Sequence, residues 1–598
     1  MCGIAGILSA EAPVDTFGRD ALVCLQDSLG HRGPDDRGVF VSPDRRAAFV
    51  HTRLSILDLS PAGHQPMPSD DGRYWVTYNG EIYNFRELRC AMQCDGETFR
   101  TGTDTEVLLR LYAREGPGCV TRLRGMFAFA IWDAAEGTCF LARDLFGIKP
   151  VYYYSTGDRL LFASELSALM KTGLVPRRLN PAGVAGYFRS GTVPEPDTLV
   201  QDVHCLRAGH ALLWKAGHVR EWQHSLLGFS DGPADDVAAV VQDVRAALQD
   251  SVEHHFVSDV PVGIFLSGGI DSTALLALAS QGSRRDIRTF SIRFREKALD
   301  EGDLARRTAA HFGSRHSEWQ VDADIGRGLF RQFLERMDRP TIDGFNTFVV
   351  SKFAHDAGMK VVLSGVGGDE LFGGYPSFRN VPRMLQMRRP YPRVVQRVAG
   401  AALERWAHKP TWRRLGQFLS GDGTLPSAYQ AYRGIFLDAE ANRMALGYTG
   451  SLPAAWFNDN GSSTKQSTTG DEVSLLELSL YMRNQLLRDS DVMSMAWGLE
   501  LRVPFLDQEL FAHLARVPAA LRLQPGKKLL LDAVPEIPSW VATQPKRGFV
   551  FPFAEWFGGE WETMFRESAS RFGVTTRTWY QKWAIFVFED WCRRHGVR

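Results

Sequence analysis

The segment VGIFLSGGIDSTALLALAS, residues 262–280, decides the fold of the larger part of this chain. A short apolar run stops at a Ser-Gly-Gly turn, and an apolar stretch long enough for a helix follows at once. Two further runs, IRTFSIRF at 287–294 and KVVLSG at 360–365, also alternate with helical segments. Strands that alternate with helices are typical of βαβ units. We therefore predict an α/β domain with a parallel sheet.

The first 200 or so residues follow a different pattern. Runs such as RYWVTYNGEIYN at 73–84 and GMFAFAIWD at 125–133 are separated by polar turns, which indicates many short strands. Helical spacing is visible mainly from Asp20 to Leu29 and from Thr103 to Arg114. This part is therefore predicted to be an α+β domain that is rich in strands.

The length of 598 residues exceeds what one hydrophobic core usually supports, so at least two domains are expected. We predict domains at 1–217 and 218–598, joined near the Pro- and Gly-rich stretch 177–199. The final third is predicted to be mainly helical, with a polar mobile loop at 458–471.

The composition is that of an ordinary globular protein, with 44% hydrophobic residues and 69 basic against 69 acidic residues. This neutrality argues against a general nucleic-acid or membrane-surface binder. No apolar run approaches the roughly 18 residues of a membrane span, and no targeting segment is visible. The eight cysteines are scattered and form no CxxC clusters. We expect a cytoplasmic enzyme that acts on small molecules.

The start of the chain, MCGIAGI, places Cys2 next to the initiator methionine. If that methionine is removed, the Cys2 thiol lies beside a free α-amine. An α-amine titrates near pH ~8 and a thiol near ~8.5, so the amine can act as the base for the thiol. Cys2 is therefore a candidate N-terminal nucleophile.

Other residues of this domain suit acyl transfer from an amino acid. In YNGEIYN, the Asn79 amide and the Gly80 backbone N–H are candidate donors to an oxyanion, a contribution typically worth about 3 kcal/mol. Arg53 in HTRLSILD can bind a carboxylate with two hydrogen bonds. Asp104 in TGTDTE can receive an ammonium group.

The motifs MCGIAGI, HRGPDD, HTRLSI, YNGEIYN and GTDTEVLL resemble, in this order, the class II glutamine amidotransferase domain, an Ntn-type αββα sandwich. With its second half, the whole chain resembles the glutamine-hydrolysing asparagine synthetases. The resemblance implies that Cys2 attacks the side-chain amide of glutamine and releases ammonia. It also implies that Asn79 and Gly80 form the oxyanion hole. The implied glutamine-binding residues are Arg53, Asn79, Gly80, Glu81 and Asp104.

The turn SGGIDST after the apolar run exposes backbone N–H groups at the start of a helix, where phosphate binds well. It resembles the pyrophosphate loop of ATP-pyrophosphatase domains, which are adenine nucleotide alpha hydrolase-like and transfer adenylate from ATP. The resemblance implies Mg²⁺ bound by Asp271 and by Asp369 of LSGVGGDELFGGY. The implied residues around ATP and pyrophosphate are Ser267, Gly268, Gly269, Asp271, Ser272, Ser364 and Gly365.

A lysine close to the reacting phosphate is also implied. QPKRGFVFPF, residues 544–553, resembles the family segment whose lysine faces the acyl-adenylate, so Lys546 is predicted to be catalytic. Lys527 and Lys528 lie near it in sequence and are the alternatives.

The resemblance implies that ATP activates an acceptor carboxylate, that ammonia is channelled to the acyl-adenylate, and that an amide, AMP and pyrophosphate are released. One position departs from the family, because SGVGGDE has Val366 where a glutamate is usual. Valine cannot move a proton. Both L-aspartate and a different carboxylate, from secondary-metabolite or cell-surface biosynthesis, therefore remain open as the acceptor.

Two further possibilities concern the chain as a whole. A non-catalytic regulatory scaffold would be expected to lose residues such as Cys2 and Asp271, which are present. The arginine-dense segment 379–415 is interpreted as a solvated helical face rather than a site for an anionic partner. The expected partners are glutamine, ATP and the acceptor, without nucleic acid or membrane. A homodimer is compatible with the sequence, which does not fix the oligomer.

Overall fold

The computed structural model describes residues 2–14, 19–230, 232, 236–281, 286–296, 299–453, 468–544 and 551–598. Its first part contains two antiparallel sheets, with strand orders β10-β8-β9-β1-β3-β2 and β12-β11-β7-β6-β5-β4. The strands are β1 Gly3–Ser9, β2 Asp36–Val41, β3 Ala47–Arg53, β4 Met67–Pro68, β5 Tyr74–Ile82, β6 Gly125–Asp133, β7 Thr138–Arg143, β8 Tyr152–Thr156, β9 Arg159–Ala163, β10 Val203–Cys205, β11 His210–Lys215 and β12 His218–Gln223.

The two sheets pack face to face around an apolar layer. Phe49 and Phe162 from one sheet meet Trp132 and Leu141 from the other, and all four are buried. The helices of this part are α1 Arg19–Leu29, α2 Phe85–Cys94, α3 Asp104–Glu115, α4 Leu166–Lys171 and α5 Pro181–Ser190. Helices α1 and α4 cover the first sheet, and α2 and α3 cover the second. The predicted αββα sandwich is confirmed.

The stretch predicted to connect the domains is instead partly a buried helix, α5. Asn180 caps its first turn by accepting a hydrogen bond from the Ala182 N–H, and Gly191 ends it in the left-handed conformation. Tyr187 is fully buried and donates a hydrogen bond to the Ala584 carbonyl at 2.9 Å. The predicted boundary at residue 217 falls just before β12, whose pairing with β11 extends the second sheet to Gln223.

The second part is built on a parallel sheet with the order β15-β14-β13-β16-β17. Its strands are β13 Val262–Phe265, β14 Arg288–Phe294, β15 Arg315–Val321, β16 Val361–Leu363 and β17 Glu500–Arg502, and a small hairpin follows from β18 Ser570–Arg571 and β19 Val574–Thr575. The predicted α/β class is confirmed. Because β13 lies between β14 and β16, the loops after these three strands meet at one edge of the sheet.

Helices surround this sheet and form most of the remaining chain. They are α6 Val237–His255, α7 Ile270–Ser280, α8 Gly302–His311, α9 Ala323–Arg336, α10 Phe345–Asp356, α11 Gly368–Leu371, α12 Ser377–Arg388, α13 Arg393–Trp406, α14 Pro410–Ser420, α15 Leu425–Arg433, α16 Asp438–Thr449, α17 Thr469–Leu476, α18 Arg488–Met495, α19 Gln508–Leu514, α20 Ala519–Arg522, α21 Lys528–Ala533, α22 Ser539–Ala542, α23 Phe553–Phe557 and α24 Trp579–His595. A π-helical segment, Glu477–Leu487, joins α17 to α18. In the described ranges, every helix is too short or too polar to cross a membrane. The tract 458–471 lies mostly outside the described residues.

The two parts share a buried interface. On the first-domain side, Leu54 and Ile56 pack against Val361 of β16 and Met495 of α18. Ion pairs surround this contact, joining Arg32 to Asp491, Glu81 to Arg502 and Arg124 to Asp507. Helix α18 and the edge strand β17 therefore lie directly against the domain that carries Cys2.

Candidate active sites

A small cavity of about 30 Å³ opens beside Cys2, at the start of the central strand β1. Its walls come from both sheets and from the start of α3. Four of the predicted glutamine-binding residues line it together with the nucleophile, namely Arg53, Gly80, Glu81 and Asp104. Residues far apart in sequence therefore meet at one small site.

Asn79 and Gly80 contact the Cys2 end of this cavity. The Asn79 Oδ1 atom accepts a hydrogen bond from the Cys2 backbone N–H at 2.9 Å. The Asn79 Nδ2 group is buried and has no hydrogen-bond partner among the described residues, so it can donate to an oxyanion. A Cβ atom at Gly80 would lie 2.1 Å from the Met126 carbonyl oxygen, so only glycine fits there.

Arg53 and Asp104 provide opposite charges in the same cavity. The Arg53 guanidinium is oriented by the carbonyl oxygens of Leu57, Asp58 and Ser60, to which it donates. The Asp104 carboxylate accepts from the Tyr78 hydroxyl at 2.8 Å, and burial raises its pKa. An α-amino acid carries both a carboxylate and an ammonium group, and these two side chains can bind one each.

The Cys2 thiol itself is almost fully buried, and burial raises its pKa. A buried thiol is a poor nucleophile until a base removes its proton. Glu81 is not free for this task, because it forms a 3.2 Å ion pair with Arg502 of the second domain.

A much larger cavity, about 1120 Å³, lies at the carboxyl edge of the parallel sheet. The loops after β13 and β16 and the residues of β14 form one end of it. Every residue predicted to surround ATP lines this cavity, together with the predicted metal ligands. These residues are Ser267, Gly268, Gly269, Asp271, Ser272, Ser364, Gly365 and Asp369.

The turn between β13 and α7 is shaped to bind phosphate. Gly268 has a φ of +72°, and the hydroxyls of Ser267 and Ser272 are 3.2 Å apart across the turn. Helix α7 therefore begins with its first N–H groups at the cavity. The second loop packs closely on this turn, because a Cβ at Gly368 would lie 2.4 Å from Asp271 Oδ1.

Lys527 is a site residue that the sequence analysis did not select. Its Nζ atom lies 2.5 Å from Asp271 Oδ2 and 2.5 Å from Asp369 Oδ1. Burial opposes its charge, but these two carboxylates hold the pKa of Lys527 above the ordinary value. Lys527 also has a φ of +57°, which is rare for a residue with a side chain. Lys546, the predicted lysine, lies outside the described residues.

The two aspartates also fit the donor set of a magnesium ion. Their carboxylates converge on one cation, the Lys527 ammonium, beside a turn where a bound phosphate would supply further oxygen ligands. Glu370 follows Asp369, and its Oε1 accepts a hydrogen bond from the Tyr375 hydroxyl at 3.0 Å. Burial and the neighbouring Asp369 raise the pKa of Glu370 to about 7.

The large cavity also has an aromatic wall and two buried aspartates. Val366, Asp343 and Asp489 line the cavity, and burial raises the pKa of both aspartates. Among the described lining residues, only Lys527 and Arg433 are basic, and Arg433 is bound to Glu477 at 2.7 Å. The aromatic wall consists of Phe345, Phe551, Phe553, Trp579 and Trp583.

A short buried connection joins the two cavities. Arg32 donates to the Cys2 carbonyl oxygen at 3.1 Å and to Asp491 Oδ2 at 2.8 Å. Asp491 belongs to α18, and so does Asp489, which lines the large cavity. The same helix therefore contacts the surroundings of both predicted reactions.

The fold and the two sites define a glutamine amidotransferase joined to an ATP-using domain that forms amides. Residues 1–225 match the family described as glutamine amidotransferase domain, and residues 243–585 match the family described as asparagine synthase. The chain belongs to the glutamine-hydrolysing asparagine synthetase family. It is a carbon–nitrogen ligase that uses glutamine and ATP.

Individual relatives cover nearly the whole chain. It is 32% identical to asparagine synthetase (glutamine-hydrolyzing) 1 of Bacillus subtilis (strain 168), over 99% of this chain and 93% of that protein. It is 29% identical to asparagine synthetase (glutamine-hydrolyzing) 3 of the same organism, over 88% of this chain and 83% of that protein. It is also 27% identical to amidase chry2 of Gibberella zeae, over 96% of this chain and 92% of that protein.

Proposed function

We propose that this chain hydrolyses glutamine at Cys2 and uses the ammonia to convert an acceptor carboxylate, first activated as an acyl-adenylate, into an amide. The observation that carries the proposal is the pairing of two cavities across one buried interface, where Asp489 of α18 lines one cavity and Asp491 of α18 binds the Arg32 that contacts Cys2. Ammonia made next to its consumer reaches a high effective concentration and avoids protonation in bulk water.

The first half-reaction takes place in the small cavity. The α-amine of a processed Cys2 takes the thiol proton, and the thiolate attacks the glutamine side-chain amide. Asn79 Nδ2 and the Gly80 N–H donate to the oxyanion that forms. The α-ammonium returns this proton to the amide nitrogen, which leaves as ammonia, and water hydrolyses the remaining glutamyl thioester. Arg53 and Asp104 hold the α-carboxylate and α-ammonium of glutamine.

The second half-reaction takes place in the large cavity. The acceptor carboxylate attacks the α-phosphorus of ATP, and pyrophosphate leaves toward the β13–α7 turn. Asp271 and Asp369 would hold Mg²⁺, which when bound neutralises charge on the leaving pyrophosphate. Lys527, held between these aspartates, provides a fixed positive charge at the same place. Ammonia then attacks the acyl carbon, and AMP leaves with the bonding electrons.

L-Aspartate is the first candidate acceptor, because two of the relatives are named asparagine synthetases. A different carboxylate is the second candidate, and two features of the cavity favour it. Val366 replaces the usual glutamate, and one wall of the cavity is aromatic. These features suit an acceptor with an apolar body beside its carboxylate.

The Cys2→Ala variant tests the overall proposal. Amide formation from glutamine should be abolished, whereas amide formation from added ammonium salt should remain, because the second cavity is unchanged. Cys24→Ala is the matched control, since Cys24 lies on α1 and does not line the small cavity. Equal loss of both activities in Cys2→Ala would refute the assignment of the two half-reactions to two separate cavities.

A panel of carboxylic acids tests the acceptor. Pyrophosphate release should be measured with L-aspartate and with monocarboxylates that carry aromatic or aliphatic bodies. Strong aspartate-dependent release would support the first candidate and exclude the second. Release with an apolar monocarboxylate only would support the second candidate and exclude the first. In that case Val366→Glu should reduce pyrophosphate release, because the larger side chain narrows the cavity.

A further inference from the structure

Helix α13, which packs against α14 and follows the turn from Met387, has its amphipathic pattern inverted. We name residues 387–420 the basic hairpin. In an ordinary surface helix the apolar side chains face the protein. In α13 the buried residues are Gln396 and Gly400, whereas Val394 and Val398 are 72% and 68% exposed.

The buried side of the basic hairpin is fixed by specific contacts. Gln396 Nε2 donates to the Arg388 carbonyl at 3.0 Å, and Arg388 donates back to the Gln396 side chain and to the Gly421 carbonyl. A Cβ at Gly400 would lie 2.6 Å from the Gly416 carbonyl oxygen, so the two helices pack backbone to backbone. These contacts fix the rotation of α13 and leave its apolar face in solvent.

This segment carries the most exposed large apolar side chains in the described part of the chain. The four most exposed are Met387, Val394, Val398 and Trp406, at 67 to 72%. Tyr391, Val395 and Trp412 in the same segment are 50 to 59% exposed. A concentration of exposed apolar side chains in one short segment marks a candidate binding surface.

Basic residues surround this apolar face. The segment 379–414 contains ten arginines and lysines and one acidic residue, Glu404, within a chain of zero net charge. Among the described residues, Arg413 is the only one of these ten in an ion pair, with Glu440. The exposed members are Arg379, Arg383, Arg389, Arg393, Arg397, Arg405 and Lys409.

We propose that the basic hairpin docks this enzyme on the surface of an anionic lipid bilayer. The outward valines and tryptophans would enter the boundary between headgroups and acyl chains, and the flanking arginines would bind the lipid phosphates. Charge complementarity selects an anionic surface, and it disfavours a second copy of the same hairpin. A nucleic acid would use the arginines but would leave the valines in water, so it accounts for only half of the surface. This docking is peripheral and revises the expectation that no membrane takes part.

Vesicle sedimentation with the full-length protein tests the proposal. The probes are vesicles of phosphatidylcholine alone and vesicles that also contain phosphatidylglycerol. The wild type should sediment only with the anionic vesicles, and added salt should weaken this binding. Val394→Ser/Val398→Ser should weaken it at least tenfold, and so should Arg393→Glu/Arg397→Glu. The matched control is Val23→Ser/Val219→Ser, which changes exposed valines elsewhere and should bind normally.

Each alternative gives a distinct result. Failure of the wild type to bind anionic vesicles, or equal binding by the valine and control variants, would overturn the proposal. RNA retardation in a low-salt gel that is lost in Arg393→Glu/Arg397→Glu, without vesicle binding, would assign the surface to nucleic acid instead. A dimer in sedimentation velocity that the valine variant breaks, again without vesicle binding, would assign it to a second copy. Ligase activity with soluble substrates should be unchanged in all these variants, which shows that they are folded.

Discussion

Lys527→Met removes the positive charge between two carboxylates and should stop the second half-reaction selectively. The Lys527 ammonium is 2.5 Å from Asp271 and 2.5 Å from Asp369, and its side chain is 7% exposed. At an effective dielectric constant of about 20, unit charges ~2.5 Å apart attract each other by about 7 kcal/mol. Desolvation offsets much of this, so removing one partner of a buried pair costs about 3–5 kcal/mol.

The loss in activity follows from the same geometry. One preorganised donor at a developing charge is worth about 3 kcal/mol, which corresponds to about 10²-fold in rate. We expect acceptor-dependent pyrophosphate release by Lys527→Met to fall by at least that factor. Glutamine hydrolysis at Cys2 should change little, because the small cavity has no contact with Lys527. Initial rates of pyrophosphate and glutamate release, measured in the same samples, separate the two effects.

Lys528→Met is the matched control, since this neighbour is 59% exposed in its ion pair with Asp532. It should retain full activity. Lys527→Arg should recover part of the rate, because it restores the charge with different geometry. Thermal unfolding adds a second readout: Mg²⁺ should stabilise Lys527→Met more than the wild type, since the ammonium no longer neutralises the carboxylates of Asp271 and Asp369. Pyrophosphate release by Lys527→Met within a few-fold of that by Lys528→Met would refute the role of this charge.

Further predictions concern the first site, the interface and the core. Asn79→Ala should lower the glutaminase kcat by about 10² to 10³ and leave ammonia-dependent synthesis unchanged, as steady-state assays with either nitrogen source would show. Burial raises the pKa of Asp104, so its carboxylate is lost as the pH falls through that raised value. The KM of the wild type for glutamine should rise over the pH range in which the Asp104 carboxylate becomes protonated. In Asp104→Asn the KM for glutamine should be high and independent of pH. Asp491→Asn weakens the contact with Arg32, and the ratio of glutamate to amide produced should rise above that of the wild type. Trp583→Ala empties a fully buried site, and denaturant titration should show a loss of about 3–5 kcal/mol.

The fold could be predicted from the sequence wherever local patterns and long-range packing agree. Alternation of apolar runs identified β5 and β6, and the strand–turn–helix at 262–280 identified the parallel sheet. Helix α5 within the stretch 177–199 was not predicted, because the prolines and glycines there were taken as signs of a connection between the domains. In the structure, Pro181 and Gly191 stand at the two ends of α5, which are the positions where a helix tolerates them. The inverted face of α13 could not be predicted either, since spacing alone does not say which side of a helix is buried.

The candidate sites were predictable where the chemistry lies in a contiguous motif. Cys2, Asn79 and Asp104 fall within short motifs, and the structure brings all three together. Lys527 was named only as an alternative, because the resemblance pointed to Lys546 and the adjacent Lys527 and Lys528 look equivalent in sequence. Only the left-handed backbone at Lys527, just before α21, directs one of them toward Asp271 and sends the other to solvent. A Gly-Lys-Lys sequence before a helix was the available signal, and it is too common to select a residue.

Helix α18 explains why the two cavities keep a fixed relation to each other. Arg32 is fully buried between Glu165 and Asp491, and a buried charge that loses a partner is costly. Helix α18 therefore cannot shift relative to Cys2 without breaking this network. Since Asp489 on the same helix forms part of the acceptor cavity, movement at the acceptor would strain the Arg32 contacts beside the nucleophile. The interface thus fixes the two cavities relative to each other. The activated acceptor therefore has a fixed position relative to the site at which ammonia is released.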